Sequence, residues 1–79
     1  MDNQKENRVE TIKKSFCLKL KELRQERQLS QKIVAQKLGV AVSTYANWEQ
    51  GRTEPGIYDI VNLLTVFEID ANELFSLLD

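Results

Sequence analysis

Val9, Ile12, Phe16, Leu20 and Leu23 recur at intervals of three, four, four and three, which draws one apolar stripe along a helix. Lys13, Lys14, Lys19, Lys21 and Glu22 fill the other faces, and the pattern predicts a first helix over about residues 8–27. Ser30 reads as an N-cap whose hydroxyl accepts from the free amides of the next turn. Leu29 before it and Val34 after it form a hydrophobic staple. A second helix is expected over about 31–38, stopped by Gly39, which can take the left-handed conformation that ends helices. A third, over about 42–50, follows a very tight connection and stops at Gly51 in the same way. Gly-Arg-Thr-Glu-Pro-Gly (51–56) is a turn. The fourth helix, about 57–66, places Ile57, Ile60, Val61, Leu64 and Phe67 on one side. Asp70 caps a fifth, about 71–78, with Leu74, Phe75 and Leu78 apolar. Strand-like alternation nowhere persists, so the fold class is all-α, a bundle of five short helices.

A chain of 79 residues supports one hydrophobic core. The reading divides it into an N-terminal extension (1–14) that continues the first helix and a folded domain (15–79). No apolar run approaches the roughly 18 residues of a membrane span. The polar start, Met1 to Glu6, has no signal-peptide core. One cysteine, Cys17, suits a reducing cytosol, so a cytoplasmic protein without a membrane partner is expected. The absence of histidine removes imidazole acid–base chemistry and Cys/His pairs, and with one thiol it leaves no zinc set. The carboxylates look scattered over the surface, so no metal, no cofactor and no enzyme activity is expected.

A net charge of −1 argues against a polyanionic partner, but the distribution is polarised. Residues 1–52 hold all 11 bases against six acids, whereas residues 53–79 hold six acids and no base. Such asymmetry fits one half facing a negatively charged partner and the other facing away; it equally fits a solvated acidic tail beside a lysine-rich helix.

The informative stretch is Ser30 to Pro55, SQKIVAQKLGVAVSTYANWEQGRTEP. Two short helices joined by a glycine-containing turn cross steeply. Ala35 is small enough for a close crossing, while Val34, Leu38, Val40, Tyr45 and Trp48 supply apolar contacts that lock the unit down. A helix about 10–12 Å wide fits a DNA major groove of about 12 Å.

From Leu20 to Phe75 the chain resembles the lambda-repressor-like helix-turn-helix regulators, the Xre or Cro/CI family. The likeness rests on Arg24 in LKELRQERQLSQ, Gln31, Ala35, Gly39-Val40, Ser43-Thr44, Trp48-Glu49-x-Gly51-Arg52, Pro55 and EIDANELF at 68–75. The resemblance implies base reading by Val42, Ser43, Ala46 and Asn47. An asparagine can pair bidentately with adenine, and small apolar groups can pack on a thymine methyl. It implies phosphate contacts from Gln31, Lys32, Lys37, Thr44, Tyr45 and Arg52, with the start of the second helix adding favourable dipole. Arg24 and Glu49 match a buried structural ion pair.

Departures from the family pattern are informative. Ala41 stands where Ser or Thr usually caps the third helix. Glu68 occupies a position often held by glycine, so strain is expected in that turn, and Ile33 replaces an outward polar residue. The reading face lacks arginine, which points to an A·T-leaning site.

Trp48, Phe16, Phe67 and Phe75 are assigned to the core, Cys17 to a half-buried position, and the lysines of the first helix to a solvated face. The function expected is that of a small stand-alone transcriptional regulator, most simply a repressor, that binds a palindromic operator in double-stranded DNA as a homodimer. Leu63, Val66, Leu74, Leu77 and Leu78 are the candidate dimer surface, with Val9 and Ile12 as the rival. Any signal is expected to act through an antagonist or partner protein, through concentration, or not at all. The competing reading is a protein-interaction module or antitoxin-like partner binder that keeps the fold with weak or no DNA affinity, motivated by the acidic isoelectric point and the uncapped Ala41.

Overall fold

Five helices make up most of residues 3–75, the part that the computed structural model describes: α1 (Asn3–Glu26), α2 (Gln31–Leu38), α3 (Val42–Gln50), α4 (Ile57–Phe67) and α5 (Ala71–Leu74). α1 begins nearer the N-terminus than its apolar stripe suggests. Gln4, Lys5, Glu6 and Arg8 are strong helix formers, so propensity extends the helix without an apolar face. The expected fifth helix is seen as Ala71–Leu74, and its extension through Leu77 and Leu78 lies outside the described residues.

Left-handed residues punctuate the chain. Gly39 and Gly51, both at φ 74°, close α2 and α3, and Glu68 at φ 55° closes α4. The Glu68 backbone therefore holds a conformation that costs a side-chain-bearing residue about 1–2 kcal/mol. Ser30 caps α2 by accepting from the Ile33 amide at 3.1 Å, and Asp70 caps α5 by accepting from the Glu73 amide at 2.8 Å.

Every helix contributes to one core: Leu20 and Leu23 from α1, Val34 and Ala35 from α2, Tyr45 and Trp48 from α3, Leu63 and Phe67 from α4, and Leu74 from α5. Phe16, Leu38, Val40, Ile60 and Leu64 pack around it, half-buried.

Three expectations are corrected here. α4 buries Leu63 and Phe67, while Ile57 and Val61 face outward at 72% and 52% exposure. α4 is apolar on most sides, so periodicity alone permits more than one buried face, and packing selects among them. Phe75 is 46% exposed and stacks on Phe16, ring centres 5.8 Å apart, at the margin of the core. Leu63 and Leu74, two of the candidate dimer residues, are fully buried within their own chain and cannot meet a partner; Val66 is half-buried against the core.

Candidate nucleic-acid interface

The joint between α2 and α3 is three residues long. The Gly39 and Val40 amides donate to the carbonyls of Gln36 (3.1 Å) and Ala35 (3.0 Å), which closes α2. No atom within 4 Å would obstruct a Cβ at Gly39, so its positive φ, not space, calls for glycine there. Ala41 takes the extended N-cap conformation at φ −67° and ψ 148° but offers no side-chain acceptor, leaving the first amides of α3 uncapped.

Burial divides α3 into two faces. Tyr45 and Trp48 point into the core, three residues apart, with rings edge to face at 6.0 Å. Val42, Ser43 and Thr44 are exposed, and Ala46 and Asn47 are half-buried on the flank. Gln50 belongs with them. It is exposed, and its spacing of seven from Ser43 and three from Asn47 is the sequence signal that places it on their side. The one acid of α3, Glu49, is turned inward with its side chain 3% exposed, so the outer face of this helix carries no carboxylate.

Glu49 is the centre of a polar cluster joining three helices. Arg24 of α1 donates through Nε to Oε2 at 2.6 Å and through Nη2 to Oε1 at 3.1 Å, a forked pair. Arg24 Nη1 also donates to the Leu29 carbonyl at 2.9 Å. Gln31, the first residue of α2, donates its Nε2 to Glu49 Oε1 at 3.0 Å. Burial works to raise the Glu49 carboxyl, but the polar contacts around it, that of Arg24 foremost, outweigh it and hold the group below its ordinary value. The same bond raises Arg24.

The expected phosphate-binding residues divide accordingly. Lys32, Lys37, Thr44 and Arg52 are exposed, and none of the three bases is held in an ion pair among the described residues. Gln31 spends one amide N–H on Glu49 and keeps a second. Tyr45 is corrected: its ring is fully buried and its hydroxyl lies inside with no hydrogen-bond partner, so it cannot reach a phosphate. Burial pushes that phenol far above its usual range.

Part of the acidic C-terminal half has structural work. Asp59 Oδ2 accepts from the Gly56 amide at 3.1 Å at the start of α4, and Asp70 caps α5. Glu54 pairs with Lys13 at 3.1 Å, tying the turn after α3 to α1. Groups of acids, cysteine or histidine able to hold a metal ion are absent among the described residues, and no helix there is long and apolar enough to cross a membrane.

The profile of a family described as Helix-turn-helix matches residues 20–74. Similar curated proteins include an uncharacterised HTH-type transcriptional regulator, YobD, of Bacillus subtilis (strain 168), 27% identical over 64 residues, covering 81% of this chain and 57% of that protein. Another is the cryptic phage CTXphi transcriptional repressor RstR of Vibrio cholerae, 34% identical over 61 residues, covering 77% of this chain and 55% of that protein. The chain thus spans a little over half the length of these relatives. No solved structure matches it significantly.

Proposed function

The chain belongs to the helix-turn-helix family of lambda-repressor-like regulators, and from that premise we propose that it binds double-stranded DNA sequence-specifically and represses transcription. The observation that carries the reading is the two-sidedness of α3. Its aromatic side is sunk in the core, its one acid is locked to Arg24, and its outer side offers Val42, Ser43, Ala46 and Asn47 without a negative charge.

α3 lies in the major groove with Asn47 pairing to adenine and Val42 and Ala46 against thymine methyls. Gln31, Lys32, Lys37, Thr44 and Arg52 contact phosphates on either side. Glu49 orients Gln31 for that contact by holding one of its amide hydrogens. One short helix covers few base pairs, so the protein acts as a homodimer on a palindromic operator, with half-sites about 34–36 Å apart. What supports repression over activation is the match to a phage repressor.

Selection of bound duplexes from a random pool tests this reading. An enriched inverted repeat is expected, with log K falling against log salt at about −0.9 per neutralised phosphate. Ala41, uncapped and unable to offer a hydroxyl, together with an isoelectric point near 5.4, favours the second reading, a protein-binding module. No enrichment and a flat salt dependence would establish that module instead.

A further inference from the structure

The end of α3 packs closely on the first half of α1. A Cβ at Gly51 would lie 3.1 Å from the sulfur of Cys17, so a glycine and a short, half-buried side chain together permit the approach. Around this contact the two helices leave an open groove of about 510 Å³. Gln50 and Gly51 line it from the side of α3, and Glu10, Lys13, Lys14 and Leu18 line it from α1, with Cys17 between. Gln50 is exposed and lies seven residues from Ser43 and three from Asn47, so the groove continues the side of α3 that holds them.

We propose that this groove receives the sugar–phosphate backbone of the bound duplex, with Lys14 as the phosphate contact, an inference that rests on the DNA-binding reading above. The charges of the lining decide between its two lysines. Lys13 pairs with Glu54 at 3.1 Å, which raises its ammonium above the ordinary value, and Glu10 adds to that rise. Lys13 is thus already engaged by carboxylates. Lys14 is exposed and is held in no ion pair among the described residues. Arg52, also exposed, follows Gly51 directly, so the groove and its rim set Lys13, Lys14 and Arg52 against Glu10 and Glu54. The excess is positive and suits a polyanion. Within the groove Glu10 is the acid that opposes a phosphate, so removing its charge should favour one.

Dimensions agree with this choice. A helix about 10–12 Å wide fills a major groove of about 12 Å, so whatever flanks that helix meets the backbone strand at the groove's edge. α1 flanks the C-terminal end of α3, where Arg52 also lies, and Lys14 adds a base from a third element beside α2 and the turn after α3. Phosphate contacts carry affinity and register, not sequence, so the gain from Lys14 is salt-dependent and common to all duplexes. Lys19 is the internal comparison. It lies five residues on, about 140° round the helix from Lys14, and pairs with Glu22 at 3.5 Å.

Titration of the full chain against selected and scrambled duplex at several salt concentrations tests the proposal. Lys14→Gln is expected to weaken both duplexes about five- to tenfold in low salt and to lower the salt slope by about 0.9, with helicity and melting temperature unchanged. Lys14→Arg should restore binding, Glu10→Gln should tighten it on both duplexes, and Lys19→Gln should leave it as in the wild type. A second measurement reads position rather than charge. Combining Cys17→Ser with Leu18→Cys moves the single thiol to a position that lines the groove and is 67% exposed. Bound duplex is expected to slow alkylation of that thiol by uncharged N-ethylmaleimide several-fold. A Lys14→Gln protein that binds like Lys19→Gln, or a thiol alkylated equally fast with and without bound duplex, overturns the groove contact and leaves the DNA reading standing. A wild type whose duplex binding is absent or indifferent to salt overturns the DNA reading, and the groove contact with it.

Discussion

The Arg27 guanidinium closes the end of α4 by donating from Nε and Nη2 to the Phe67 carbonyl at 3.1 and 2.8 Å. Its Nη1 donates to Leu23 of α1 at 3.0 Å, and its central carbon lies 5.5 Å from the Phe67 ring centre. One side chain thus satisfies an orphan carbonyl, sets a positive charge at the negative end of a helix dipole, and ties α4 to α1.

Arg27→Ala is therefore expected to cost about 1.5–3 kcal/mol in urea unfolding. Arg27→Lys should restore little of it, since an ammonium cannot reproduce the fork. DNA sequence preference should not change in either variant, which separates this clamp from the reading face.

The Arg24–Glu49 pair predicts an acid-sensitive joint. The Glu49 carboxyl sits below its ordinary value of 4.5, so its contribution to stability is complete above that pH. It is lost progressively as the pH falls from there through the lower native value, because over that range the unfolded state takes up a proton that the folded state does not. Urea unfolding followed from pH 7 to pH 3 should show this loss, and Glu49→Gln should flatten that part of the curve. Arg24→Ala strands the carboxylate and should cost about 3–5 kcal/mol at neutral pH.

Ala41→Ser should stabilise the protein by about 1 kcal/mol, because Ala41 already holds the N-cap backbone conformation and lacks only the acceptor oxygen. Thermal melting checks the gain. If the start of α3 meets a phosphate, the added hydroxyl should also tighten binding to all duplexes alike.

Asn47→Ala should weaken the selected operator by about 1–3 kcal/mol and relax preference at one base pair. Arg52→Ala should weaken every sequence about equally and reduce the salt slope by about one charge. Titrations against operator and scrambled duplex at several salt concentrations distinguish the two outcomes.

The chain by itself determined where α2 starts and stops, where α3 ends and where α5 begins. Ser30, Gly39, Gly51 and Asp70 act on amides and carbonyls within a few residues of themselves, so their effects could be read without the fold. The tertiary structure alone decided which side of each helix is covered. α4 is apolar almost all round, and only its packing onto α2 and the shared core puts Leu63 and Phe67 inside while leaving Ile57, Tyr58 and Val61 outside. Tyr45 followed the same rule: its spacing from Trp48 allowed a hydroxyl at the surface, and packing sank it. The links from Arg27 to Phe67 and from Gln31 to Glu49 span 40 and 18 residues, beyond the reach of any local pattern. Local hydrogen bonding acts over one helical turn, whereas burial depends on what the rest of the chain brings alongside.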